Sequence, residues 1–364
     1  MEKHGGNLQW GGIIMKYGKI RIEDGNLVFA RHMMMNYLPC RDILWVYKRQ
    51  EGVEGGAQKQ ISTSYLVVVT RRRKRYKFDM TDREVRDCVQ LLKALNPDIV
   101  VGFPKGGRIH LQSLPNTRDL GALMTEDGRH ILPRRLLRSG SLYHISLTDQ
   151  DVLTEEYHLT EVIDFRTQKE ILEKPDTVIE GVRYHEIPIV DEETAGISQA
   201  GSFLELITEA GQLPDDFLHN QYRSFVRDEY SVKQYARFMD ILLNHEKGAV
   251  LWHCSAGKDR AGIGTALLLC ALGVPRKTIR EDFMKTNLYL EEEMQHMVRY
   301  LETKTIVDSK VMDKVRILYK VKGEYLDTVF DTIEKDYGSV EHFLKKALYL
   351  TPKAIETLKN KYLV

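Results

Sequence analysis

Cys254 and Arg260 are the residues of this chain whose types and spacing can do chemistry together. Five residues separate them, Ser255, Ala256, Gly257, Lys258 and Asp259, and His253 stands immediately before the cysteine. An apolar run, Ala249 to Trp252, leads in. Gly262 and Gly264 follow, and Thr265 to Leu272 is apolar and rich in good helix formers. Strand, tight loop and helix is the arrangement that aims backbone N–H groups and a helix N-terminus at an anion. Transfer of a phosphoryl group to a thiol needs a thiolate, a cradle for three equatorial oxygens and an acid for the leaving group. The thiolate is the reactive form of cysteine, and a helix N-terminus with nearby cations favours it. Cys254 stands where both act.

The remaining parts follow from residue type. Gly257 is free to take positive φ and let the loop curl, so that the N–H groups of Ser255, Ala256, Gly257 and Lys258 ring a phosphate. Arg260 adds a planar fork that makes two hydrogen bonds to phosphate oxygens, which a lysine does not reproduce. Lys258 is either a second cation facing the ligand or a solvent-facing loop lysine. Facing in, it favours polyanionic headgroups. Three carboxylates fall at loop ends that can meet here, Asp259, Asp164 and Asp191. Asp164 is equally suited to pairing with Arg166, and Asp191 to capping. A nucleotide-binding Walker loop is excluded, because position 252 is Trp where Gly-x4-Gly-Lys requires glycine.

The loop His253-Cys254-Ser255-Ala256-Gly257-Lys258-Asp259-Arg260 resembles the signature of the atypical bacterial and fungal tyrosine/dual-specificity phosphatases, His-Cys-x-x-Gly-Lys-Asp-Arg. Further pieces agree in order: Asn116-Thr117-Arg118-Asp119-Leu120-Gly121, Leu137-Arg138-Ser139-Gly140, Ile163-Asp164-Phe165-Arg166, Tyr325-Leu326 and Tyr337-Gly338-Ser339. The resemblance covers roughly 110–364. It implies an α/β cysteine-phosphatase fold, with a helical insertion and a helical C-terminus. It implies action on phosphotyrosine, often also on phosphoserine/threonine and phosphoinositides, through a cysteinyl-phosphate and without metal or cofactor. It makes Cys254 the nucleophile and Arg260 the phosphate-binding residue, and it favours Asp259 as general acid with Asp164 as support or alternative. Position 261 departs from the pattern: it is Ala where the family usually carries Thr or Ser, whose hydroxyl helps the thiolate leave. That departure keeps a second reading open, a weakly active or inactive phospho-ligand binding module.

The elements that must position this loop are legible in outline. From residue 111 the pattern is α/β, with strands at 161–166 and 183–189 and helices at 149–157, 201–210, 215–230 and 231–244. An all-helical stretch at 192–246, just before the Cys254 strand, is a candidate lid or ordinary helical packing on the sheet. Residues 276–364 read as nearly all helix, with segments at 276–287, 311–320, 323–336, 339–346 and 352–361.

Residues 10–80 are different: six short runs rich in Ile, Val, Leu and Tyr (12–17, 19–23, 26–31, 43–48, 64–70, 76–80), with Asp24-Gly25 a two-residue hairpin signal. Thr81 and Glu84 then form a capping-box pattern before an amphipathic helix that ends near Pro97. Strands followed by one helix resemble a pleckstrin-homology-like domain, with a boundary near 105: residues 1–105 and 106–364. Inside it, Arg71-Arg72-Arg73-Lys74-Arg75 is a solvated hairpin turn or a contact for phosphoinositides, membrane or an acidic protein partner.

Composition sets limits. The 364 residues are 43% hydrophobic and 29% charged with net charge +1, which gives no global attraction to nucleic acid. No apolar run approaches the ~18 residues of a membrane span, and Met1 to Gly12 lacks a secretory core, so a cytoplasmic enzyme is expected. The four cysteines, Cys40, Cys88, Cys254 and Cys270, have neither disulfide-framework nor metal spacing.

Overall fold

The computed structural model describes residues 14–52, 62–191, 215–304, 313 and 316–364. It divides into two compact units, one ending at Phe103 and one spanning Pro104–Leu363.

The first unit holds two four-stranded sheets. Strands β1 (Met15–Tyr17), β2 (Ile20–Glu23), β3 (Asn26–Arg31) and β4 (Met34–Pro39) form an antiparallel meander in that order, with Asp24-Gly25 making the β2–β3 turn. Strands β5 (Ile43–Gly52), β6 (Ser62–Thr70) and β7 (Arg75–Asp79) continue antiparallel, and β8 (Val100–Val101) lies parallel to β5. Helix α1 (Asp82–Leu95) opens on the Thr81/Glu84 capping box and buries Val85, Cys88 and Leu92 against Ile20, Leu27, Val46 and Val68. Two strands escape the sequence pattern. β4 is an edge strand that buries none of its residues, so no alternation marks it, and β8 is two residues inside the stretch that reads as a linker. Arg71 to Lys74 form the exposed β6–β7 turn, where Arg71 donates to the Arg41 carbonyl at 3.0 Å.

The second unit is a five-stranded sheet of order β12-β11-β13-β10-β9, where β9 is Arg118–Asp119, β10 Leu136–Ser139, β11 Leu159–Asp164, β12 Arg183–Glu186 and β13 Ala249–His253. All neighbours are parallel except β9, which runs antiparallel to β10. Helix α2 (Leu147–Asp151) continues as a π-type turn over Val152–Glu156, and α3 (Gln168–Glu173) is short. Then come α4 (Asp215–Arg227), α5 (Glu229–Asn244), α6 (Arg260–Leu272), α7 (Arg276–Tyr289), α8 (Glu291–Lys304), α9 (Gly323–Tyr337), α10 (Val340–Lys346) and α11 (Pro352–Tyr362). Helix α6 is buried almost all round, as the central helix of a core must be, and it ends on Gly273 in the left-handed region. No helix among the described residues is long and apolar enough to cross a membrane.

The expected strand at 183–189 ends at Glu186. Beyond it Ile187 and Ile189 donate backbone hydrogen bonds to the carbonyls of Asp164 and Phe165. The described part of the helical stretch before β13 is core. Leu218, Tyr222, Phe225, Val232, Tyr235 and Phe238 are buried in one cluster with Trp252 and Ile263. The rest of that stretch, including the helix expected at 201–210, lies outside the described residues; of the helix expected at 311–320, residues 313 and 316–319 are helical and 311, 312, 314 and 315 lie outside the described residues.

Candidate active site

Three parallel strands end together. Ser139 on β10 and Asp164 on β11 both register with His253, the last residue of β13. In open α/β sheets the crevice beyond the strands' carboxyl ends is where ligands bind. The chain then turns through 254–259 into α6.

The loop's peptide groups have one orientation. Four consecutive carbonyls are held from outside: that of Ser255 by the Ser141 amide (3.0 Å), of Ala256 by Asn116 Nδ2 (2.9 Å), and those of Gly257 and Lys258 by Arg138 Nη2 (2.8 and 3.4 Å). In a trans peptide the N–H points opposite to its carbonyl, so the N–H groups of Ala256, Gly257, Lys258 and Asp259 turn toward the loop's interior. None of them has a hydrogen-bond partner among the described residues. A ring of inward N–H groups at a helix N-terminus is an anion cradle. Gly257 makes the turn possible at φ +71°, where a Cβ would lie 2.2 Å from the Ser139 carbonyl oxygen.

Buried charge fixes that scaffold. Arg138 and Arg118 both pair with Asp282 on α7, each at 2.9 Å, and all three are fully buried. Arg118 also donates to the Asn116 side chain at 2.6 Å, which orients the amide that holds Ala256. Burial, then the neighbouring Arg118 charge, push the Arg138 guanidinium down to about 10. Asp282 is pulled the other way: burial opposes its ionisation, but the two arginines outweigh it and hold the carboxyl below its usual range. Two cations on one carboxylate leave net positive charge beneath the loop.

Cys254 is buried at the head of this cradle. Arg260, on the first turn of α6, aims its fork end-on at Glu170: Nη1 donates to Oε2 at 2.6 Å and Nη2 to Oε1 at 2.7 Å. Glu170 Oε1 also accepts from the Ser255 hydroxyl, and Ser255 in turn accepts from Arg260 Nη2 at 3.2 Å. Both Nη atoms are thus engaged, and the Arg260 Nε alone has no partner among the described residues. Burial would raise the Glu170 carboxyl, but the Arg260 charge and hydrogen bonds outweigh it and hold it at about 2.

The two candidate acids part here. Asp259 remains at the loop. Its Oδ2 is 2.8 Å from Lys258 Nζ, and Oδ1 accepts from the Tyr222 hydroxyl. Asp164 is held by Arg166 through Nε (3.0 and 2.9 Å) and Nη2 (2.6 Å). Arg166 also takes Asp176 at 2.8 Å, and Asp176 lies 2.9 Å from His253 Nε2. Asp164, Asp176 and His253 offer ligand atoms within 4.8 Å of one another, but a guanidinium already lies on both carboxylates. Burial disfavours the His253 imidazolium, yet Asp164 and Asp176 outweigh it and raise its pKa. Asp191 is half-buried, beyond the end of β12.

Ala261 is buried, and the nearest hydroxyl on α6, Thr265, is committed: it donates to the Ala261 carbonyl at 2.7 Å and accepts from Trp252 Nε1 at 2.9 Å. Glu170 and Tyr222 carry no sequence signal for this site. Glu170 reads as the capping-box partner of Thr167, a role it also fills, and Tyr222 reads as one apolar position of a helix.

The motif that reads as a phosphate cradle extends into kinship with known proteins. A model of the tyrosine phosphatase family matches residues 109–364. The chain belongs to the tyrosine phosphatase family. Among its relatives, a Cupriavidus necator protein with a provisional tyrosine-protein phosphatase name is 26% identical over 237 residues, 65% of this chain and 82% of the relative. The triple specificity protein phosphatase PtpB of Mycobacterium tuberculosis is 27% identical over 257 residues, 64% of this chain and 91% of its own. A tyrosine-protein phosphatase of Nostoc commune is 29% identical over 157 residues, 43% of this chain and 49% of its own. The family match begins at 109. The chain is thus a protein-tyrosine/dual-specificity phosphatase.

Proposed function

We propose that this phosphatase hydrolyses phosphate monoesters through a cysteinyl-phosphate on Cys254. The observation that carries the reading is the outward anchoring of the Ser255–Lys258 carbonyls, which turns a ring of N–H groups inward above the thiol. The phosphate's equatorial oxygens lie on those N–H groups and on the Nε of Arg260, with Nη2 exchanging the Ser255 hydroxyl for phosphate while Glu170 holds the end of the fork. The Cys254 thiolate attacks phosphorus, the bond to the leaving oxygen breaks, and Asp259 delivers a proton to that oxygen. Asp259 then takes a proton from water as it attacks the phosphocysteine and frees the thiolate. Asp164, tied to Arg166, supports the strand end rather than transferring a proton.

Phosphotyrosine is the substrate class we infer, with phosphoserine/threonine or phosphoinositide headgroups admitted by Lys258. That lysine exchanges Asp259 for a substrate phosphate in the anionic site. The name of the Mycobacterium tuberculosis relative, a triple specificity phosphatase, supports this breadth. For the first unit we infer a PH-like domain that recruits the enzyme to a protein or membrane partner, from its antiparallel sheets closed by one capped helix and its exposed Arg71–Lys74 turn.

The test is hydrolysis of a chromogenic aryl phosphate without added metal, with and without vanadate, beside Cys254→Ser. Vanadate-sensitive turnover that disappears in the variant is the expected result. Ligand binding without turnover in the unmodified chain indicates the recruitment module instead.

A further inference from the structure

A general acid must hold its proton on the oxygen that faces the leaving group, and nothing in an isolated carboxyl decides which oxygen that is. Asp259 occupies the N-cap position of α6, where an aspartate ordinarily accepts from the helix's first N–H groups. Here it makes no capping hydrogen bond. Its carboxylate is turned instead toward Tyr222 and Lys258.

The two partners differ in kind. Tyr222 is fully buried on α4, stacked on Tyr325 (centroids 5.0 Å apart, planes at 22°) and edge-on to Phe225 and Phe283. Its ring is fixed on several sides, and a buried phenol needs a partner for its hydroxyl. Asp259 Oδ1 is the acceptor the structure gives it. Burial first, and the Asp259 charge second, keep that phenol protonated and therefore a donor. Lys258, by contrast, is a flexible side chain on the loop itself.

We propose that Tyr222 is a positioning residue for leaving-group protonation: by donating to Oδ1 it makes that atom the carbonyl-like oxygen of the protonated acid and places the transferable proton on Oδ2, at the cradle. When a substrate phosphate draws Lys258 away, Oδ2 is left to carry the proton while Tyr222 keeps the carboxyl plane fixed. The inference rests on the reading of Asp259 as the acid.

The experiment measures kcat/KM over a series of aryl phosphates, from 2,4-dinitrophenyl to unsubstituted phenyl, for the full chain and for Tyr222→Phe, Asp259→Asn and the double variant. A nitrophenolate leaves without a proton, whereas phenolate needs one. General acid catalysis contributes about 100-fold or more, so Asp259→Asn loses about that factor on phenyl phosphate and little on dinitrophenyl phosphate. Tyr222→Phe is expected to lose about 10-fold on phenyl phosphate, because its bond to Oδ1 becomes a hydrogen bond to a charged group as Asp259 gives up its proton, and less than about 2-fold on dinitrophenyl phosphate. The double variant is expected to show a dependence on leaving group no steeper than Asp259→Asn alone. Equal loss on every substrate with Tyr222→Phe, beside a steepened Asp259→Asn series, overturns the proposal and leaves Tyr222 a packing residue. No steepening with Asp259→Asn overturns the acid assignment itself. If the phenylalanine chain does not fold, p-aminophenylalanine at 222 keeps the ring and a weaker donor. An intermediate slope then supports the proposal, and an unchanged slope overturns it.

Discussion

Glutamine at position 170 isolates the charge that aims Arg260. Glu170→Gln keeps the side-chain length and one acceptor oxygen, so the cap on Thr167 and one bond to the guanidinium survive. What disappears is one of two charge-assisted bonds, at 2.6 and 2.7 Å, and the negative charge itself. The pair is mostly buried, the Arg260 and Glu170 side chains being 13% and 22% exposed. The Glu170 carboxyl moves from its ordinary 4.5 to about 2, which corresponds to about 3 kcal/mol for the full interaction. Retention of one neutral bond recovers about half, leaving a deficit of about 1.5 kcal/mol, or about 10-fold. Steady-state kinetics on an aryl phosphate should show kcat/KM about 10-fold lower, with vanadate inhibition weakened by a similar factor. The pH dependence has a definite sign. A carboxyl depressed by folding adds stability above 4.5 that is lost as the pH falls from 4.5 toward 2. The Tm difference between wild type and variant should shrink across that window. Kinetics and vanadate affinity both within about 2-fold of wild type would refute the assignment of Glu170 as the group that aims Arg260.

Asp282→Asn strands two fully buried guanidiniums, and a cost of about 3–5 kcal/mol is expected in chemical denaturation. Gly257→Ala brings a Cβ within 2.2 Å of the Ser139 carbonyl at φ +71°; aryl phosphate turnover should fall by about 100-fold, as backbone strain of about 1–3 kcal/mol displaces the loop N–H groups. Ala261→Thr supplies the hydroxyl that Thr265 cannot, and a hydrogen bond to charge of about 1.5 kcal/mol predicts about 10-fold faster phosphocysteine breakdown in burst kinetics. His253 is raised by Asp164 and Asp176 against the effect of its burial. Its stabilisation is therefore complete below 6.5 and lost as the pH rises through its folded value, and thermal melts of His253→Gln should show a flatter dependence over that range.

The sequence by itself determined the parts of this protein that rest on contiguous residues. The Cys254–Arg260 loop between strand and helix, the Thr81/Glu84 cap of α1 and the helical C-terminus were legible because residue type, spacing and period act within one or two turns of chain. The pieces at 116–121 and 137–140 were legible as motifs without a role, and in 163–166 the Asp164–Arg166 pair stood as one of two alternatives. Only the tertiary structure turned Asn116 and Arg138 onto loop carbonyls and locked Asp164 to Arg166. It also brought Glu170 and Tyr222, 90 and 37 positions from their partners, to Arg260 and Asp259. A capping glutamate and a core tyrosine look the same in sequence whether or not a catalytic group lies across from them. Their second role depends on which strand ends meet beyond β13, and sheet order decides that, not local spacing.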